Sequence, residues 1–297
     1  MTTPYPARSN GELRLSPGLW GAAGAEVAVA VAVGVILLRS GHAAPAMHNM
    51  PGMDDMPHHQ PSTTQIHWTT MLAVFSVVAA VAIAWWAATR ARAPAAVAVV
   101  SLIAVVASDP IRALALRSHL VAMAALEVVL VAAPLLALSV LRRGERPRTR
   151  MRSGPWIAAV FVGLTLYVGF LVALHLPGVH DRGGHAAAVP EWLVAAAFVI
   201  GTSYWAAILL AAGVVPHRIR RGALIIGQEV AVILGLAALF LPSPFMTHPI
   251  PLGISAAADQ RLGGVLMVLT CAAVSLPLLR TIDAQRLSTP RTESHVP

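Results

Sequence analysis

Long apolar runs separated by short polar breaks set the plan of this chain. Eight runs stand out, at about 19–39, 68–89, 94–109, 118–141, 155–175, 191–213, 222–241 and 261–280. Most approach the roughly 20 residues that a helix needs to cross a membrane core. A membrane β-barrel would show alternating segments of about ten residues, and that alternation is absent. The third run is short and ends at Asp109-Pro110, where a proline breaks or kinks a helix. The helical pattern can resume beyond it to about Leu116. The pattern predicts an all-α polytopic membrane helix bundle of about eight transmembrane helices.

Four segments follow from the same pattern: residues 1–39, a tail and first span; 40–67, a polar loop; 68–280, a seven-span core; and 281–297, a tail. The first run is preceded by Arg8 and Arg14 and followed by His42-Ala43-Ala44-Pro45-Ala46, an A-x-A-like cleavage signal. Its length and the interrupting Glu26 favour a retained helix over a cleaved signal peptide. In both cases the 40–67 loop falls on the same side.

Composition strengthens the membrane reading. The chain is 57% hydrophobic and 11% charged, with a mean hydropathy of +0.71; soluble domains carry about 25% charged residues. All 21 basic residues are Arg, and the sequence pI of about 11.2 invites a nucleic-acid partner. Their placement argues against one. Sixteen lie at the N-terminus, in the second, fourth and sixth loops, and at the C-terminus, the distribution that the positive-inside rule places in the cytoplasm. Both termini are then cytoplasmic, and the expected surroundings are lipid, not nucleic acid. Ten of the 12 histidines fall on the opposite side, a bias that membrane insertion does not require.

The loop between the first two runs holds the clearest chemistry. It reads GHAAPAMHNMPGMDDMPHH, with Met47, Met50, Met53 and Met56 at three-residue intervals among His42, His48, His58 and His59. Pro45, Pro51, Pro57, Pro61 and Gly52 forbid a long helix. In an extended, polyproline-like chain a period of three puts the four thioethers on one side. Thioether and imidazole are copper ligands, and thioether favours Cu(I). The alternative is a low-complexity linker, and Asp54 and Asp55 admit Cu(II) or another divalent ion as a competitor.

Polar groups also gather at the histidine-bearing ends of later runs. His119 and Met123 stand four apart on one helix face, with Glu127 a further turn in. A carboxyl at that depth is costly and turns toward a partner; Glu127 reads either as an interhelical hydrogen bond or as part of a site. His175, followed by a loop carrying His180 and His185, is a weaker candidate. Asp259 and Arg261 read most simply as a surface ion pair worth little. Glu229 is expected to pair with an arginine of 218–221 or with an amide donor of a neighbouring helix. Cys271 is the single cysteine, which excludes a thiol-based site unless that one thiol supplies it. No nucleophile–base pair, phosphate loop or dinucleotide fingerprint is visible, so no catalyst is expected.

Five pieces resemble the membrane-type CtaG family, assembly factors of caa3-type cytochrome c oxidase. They are Ser108-Asp109-Pro110; His119 with Pro134-Leu135-Leu136; His175-Leu176-Pro177; Tyr204-Trp205; and Asp259-Gln260 with Gly263, Gly264 and Met267. They span about residues 65–280. Two departures stand out. Met123 replaces a second histidine usual in the family, and Pro190-Glu191-Trp192 replaces a histidine common near the start of the sixth span. The resemblance implies a seven-span core in a bacterial plasma membrane. It also implies a role in supplying copper to the CuB centre of a haem-copper oxidase, whose CuB-bearing subunit and an extracytoplasmic copper donor would be partners. The Met/His loop is then an added collecting arm, and His119, Met123 and His175 form or border a transfer site. The alternatives are a copper transport or resistance permease, which should line its full depth with ligands, and a structural subunit without metal.

Overall fold

The computed structural model describes residues 63–141, 153–175, 188–241 and 254–287. These form eight helices: α1 (Thr63–Thr89), α2 (Arg92–Ala107), α3 (Asp109–Ala115), α4 (His119–Leu141), α5 (Ser153–His175), α6 (Glu191–Leu210), α7 (His217–Phe240) and α8 (Ala256–Leu287). Among the described residues the fold is all α. Six helices are long and apolar enough to cross a membrane, or seven when α2 and α3 count as one span bent by 59°. The expected runs from the second to the eighth are thus present. The first run and nearly all of the 40–67 loop lie outside the described residues, although α1 begins at Thr63, ahead of the expected boundary.

Helix ends follow local chemistry. Ser108, in an extended conformation, separates α2 from α3, and Pro110 occupies the first turn of α3, where a missing N–H does no harm. Ser118 caps α4, its hydroxyl accepting the Val121 N–H at 3.2 Å. Pro190 and Pro216 stand immediately before α6 and α7.

Five helices enclose the main core. The first half of α4 packs on α8, α8 on α7, α7 on α5, α5 on α6, and α6 returns to α4. Tyr204, Trp205, Leu130, Leu138, Ile208 and Met267 fill the centre with almost no exposed surface. The pair α1 and α2 leans on the second half of α4 through a separate cluster that includes Ala79, Ala82, Ala95, Ala98 and Ala133; small residues let apolar helices approach closely in lipid. Val77, Val81, Val100, Phe161, Val162, Val199, Ile233 and Leu269 face outward, an apolar belt that suits lipid and would be costly in water.

Between Val128 and Ala132, α4 widens into a π turn. Pro134, four residues after Leu130, has no N–H to offer that carbonyl. The Trp205 indole donates to it instead, at 2.8 Å. Gly201 makes this contact possible, since a Cβ there would stand 2.5 Å from the Leu130 oxygen. Tyr204 is held by similar means: it stacks on Tyr167 at 4.2 Å, and a side chain at Gly227 would collide with its hydroxyl.

Candidate metal site at the histidine end

The site is built on the start of α4. The first N–H groups of a helix lack intrahelical acceptors and carry the positive end of its dipole. Asp259, from the first turn of α8, supplies a carboxylate there. The Ser118 hydroxyl donates to Oδ1 and the His119 N–H to Oδ2, each at 2.6 Å. Asp259 is only 3% exposed, so it is not the surface ion-pair partner that the sequence suggested. Its charge is used across two helices. The next residue does the converse: Gln260 Nε2 donates to Ala238 O at 2.8 Å and Leu241 O at 2.9 Å, satisfying carbonyls that the end of α7 leaves open.

One turn further along α8, Gly263 clears space for an imidazole. A Cβ there would lie 2.6 Å from His119 Cδ2, so the ring rests against bare backbone. Gly264 serves the other neighbour, since its Cβ would meet the Gly235 oxygen of α7 at 2.5 Å. The Asp-Gln-x-x-Gly-Gly pattern therefore reads as one device: a helix start, a helix end, a ring and a helix crossing, each met by one residue.

His175 arrives from α5, as its last residue. Its ring lies edge-on to His119, with centroids 6.4 Å apart and planes at 80°. His175 Nδ1 stands 2.7 Å from the Leu171 carbonyl. A carbonyl only accepts, so Nδ1 carries the proton and Nε2 keeps its lone pair, the tautomer a metal-ligating histidine uses. The Nε2 atoms of both rings are closed off from solvent. Met123 lies a turn below His119 on the same face and is buried. Two imidazoles and a nearby thioether, without a carboxylate, suit a soft ion of low coordination number such as Cu(I) better than a hard divalent ion. Among the described residues no group of three His, Cys, Asp or Glu side chains gathers at metal-binding spacing. A site here has to count methionine.

Of the sequence-proposed ligands, the structure brings His119 and His175 together, with Met123 buried one turn from His119 on the same helix. Met47, His48, Met50, Met53, Met56, His58, His59, His180 and His185 lie outside the described residues. Glu127 is buried. Glu229 is exposed and makes no ion pair among the described residues; Arg221 instead faces Asp283 at 3.6 Å, and Arg220 donates to the Ile208 carbonyl at 2.6 Å.

Arg112 is the structural residue that sequence reading passed over. Its guanidinium donates to Ala107 O at 2.9 Å, Val189 O at 2.7 Å, Glu191 Oε1 at 3.0 Å and the Asp109 carboxylate. It closes the last turn of α2, braces the bend into α3 and fixes the start of α6. The Asp109–Arg112 spacing, three apart behind a proline, was the available signal.

The family described as cytochrome c oxidase caa3 assembly factor (Caa3_CtaG) matches residues 90–287. The match runs from the α1–α2 turn to the end of α8 and takes in His119, Met123, His175 and the α8 pattern. The 40–67 loop and α1 precede it. No curated protein and no solved structure matches the chain. With two thirds of its length matched, this membrane protein belongs to the caa3 cytochrome c oxidase assembly factor family.

Proposed function

We propose that the protein assists oxidase assembly by holding Cu(I) at the His119–His175 pair and passing it to the CuB-bearing subunit of a haem-copper oxidase. The observation that carries this reading is the meeting of two imidazoles from separate helices, edge to face with centroids 6.4 Å apart, with the His175 proton held on Nδ1 by the Leu171 carbonyl. Met123 supplies a soft neighbour in place of a further histidine. Copper is cargo here, not a resident cofactor. Ligand exchange between imidazole and thioether leaves the ion bound but not trapped, since no anionic ligand holds it at this level. The Met/His loop, with His48, Met47, Met50, Met53 and Met56 as first captors, would collect copper on the extracytoplasmic face and present it to the pair. On this reading the arginine-rich loops are cytoplasmic, and the protein moves a metal without catalysing a reaction.

The test is in cells and in detergent. Deleting the chain should lower oxidase activity and copper content together, with rescue by added copper. The double variant His119→Ala/His175→Ala should reproduce the deletion while the protein stays in the membrane at normal abundance. Normal oxidase copper in the double variant sinks the proposal. A change in total cell copper with a normal oxidase would favour transport instead.

A further inference from the structure

The histidine pair is the top of a stack. On α4, His119, Met123 and Glu127 follow at four-residue steps. On α8, so do Gly263, Met267 and Cys271. On α5, which runs the other way, the series is His175, Leu171 and Tyr167. Below the histidines every one of these side chains is buried: Met123 is 7% exposed, Met267 1%, Glu127 7% and Cys271 4%. The contact between Gly263 and His119 fixes the register of α4 against α8. The two helices run in the same direction, so each four-residue step descends about 6 Å on both. Met267 then falls level with Met123, and Cys271 with Glu127, about 12 Å below the histidines. The packing agrees: Met123, Met267, Cys271 and Tyr167 belong to one buried cluster, with Glu127 buried beside it.

That lowest level is a polar node at the bundle axis to which five helices each contribute one group: Glu127, Tyr167, Tyr204, Gln228 and Cys271. The Gln228 amide adjoins both tyrosine hydroxyls. Its Nε2, in a side chain only 6% exposed, makes no hydrogen bond among the described residues.

We propose that Met123, Met267, Cys271 and Glu127 form a second, deeper site for Cu(I), loaded from the histidine pair. The proposal deepens the copper reading and rests on it for supply, but its ligands are separate. Thiolate and thioether are the ligand types that select Cu(I). As the Cu–S bond forms at Cys271, the S–H bond breaks and the proton leaves to solvent in exchange for the entering cation. Copper remains Cu(I) and no oxidant is consumed. Cation, thiolate and neutral carboxyl then sum to no net charge, which is what a low-dielectric interior tolerates. Toward the arginine end the stack is closed: the next buried residues on α8 are Val274, Leu278 and Ile282, and on α5 Gly163 and Val160. A soft ion that descends from the histidines has no ligands to continue with, so the column stores the ion and returns it to the same face.

The experiment uses the full chain purified in detergent, with Met47, Met50, Met53 and Met56 changed to Leu so that loop thioethers do not compete. Cu(I) alone is titrated anaerobically against a chromogenic chelator. Because the chain has one cysteine, an ultraviolet thiolate-to-copper band reports that sulfur alone. The proposal expects the band at one equivalent, its loss in Cys271→Ser, and binding about tenfold weaker in Met267→Leu and in Glu127→Leu. Those two variants keep side-chain size, so a folded, helical protein is expected in each. No thiolate band at any copper level overturns the deep site. If copper still binds in that case and His119→Ala/His175→Ala abolishes it, the histidine reading survives alone. A band that persists in the double histidine variant at unchanged loading rate removes the histidines as its supply and leaves the deep site standing.

Discussion

At the histidine end of the bundle, polar side chains are buried and tie one helix to the next. At the arginine end they mostly lie on the surface. Asp259 joins α8 to the start of α4, Gln260 joins it to the end of α7, and Arg112 joins α2, α3 and α6. At the other end Arg92, Arg218, Arg221 and Arg280 are exposed. Among the described residues Arg220 departs furthest from this, 3% exposed and bonded to the Ile208 carbonyl, and Arg90 is half-buried over the Trp86 ring. One end therefore positions side chains within the bundle, while the other carries the charge that the positive-inside rule uses for orientation. A site that must hold two imidazoles in fixed relation belongs where helix ends are over-determined, and that is where His119 and His175 meet.

The contrast can be broken by substitution. The largest effect is expected from Asp259→Ala, which leaves a buried hydroxyl and a backbone N–H without their acceptor. Together these should cost about 2–5 kcal/mol, read as a lowered midpoint of unfolding in detergent, with loss of Cu(I) binding at the histidine pair. An unchanged midpoint would mean the carboxylate is replaceable by water and the end is not over-determined. Gly263→Ala comes next. Its Cβ would drive into His119 Cδ2, and overpacking of this kind costs about 1–3 kcal/mol. The ring should rotate away, with Cu(I) affinity falling about tenfold. Trp205→Phe tests the middle layer, at about 1 kcal/mol for a lost hydrogen bond to Leu130. Adding Pro134→Ala, which restores a backbone N–H near that carbonyl, should recover part of the loss; simple additivity in the double variant would refute the link. The smallest effect, at most about 0.5 kcal/mol, is expected from Arg221→Ala, because its partner Asp283 is half exposed and solvent screens the pair. A large loss there would erase the distinction between the two ends.

The spans were legible because lipid imposes a length and a composition on every crossing helix, and the apolar runs obey both. The Ser108-Asp109-Pro110 break was legible for the same local reason: proline cannot continue the hydrogen-bond ladder. The association of His119 with His175 was expected only from the family resemblance. Nothing in a spacing of 56 residues says that two helices running in opposite directions bring those ends together. Asp259 was misread as a surface charge because sequence carries no measure of burial; a carboxylate beside an arginine looks the same whether it faces water or a helix start. Arg112 was passed over for the same reason. Cys271 stood alone in sequence, and only the register of α4 against α8 sets it level with Glu127.

The sequence by itself determined that this chain lives in a membrane, where its helices run, which loops carry the positive charge, and where methionine and histidine are concentrated. Those properties follow from transfer free energy and ligand type, which each residue carries wherever it sits. The tertiary structure alone decided which polar groups are buried and which of them meet. Glycines at Gly263, Gly264 and Gly201 let helices approach to a distance that no side chain allows, and that close approach sets the register of α8 and α6 against their neighbours.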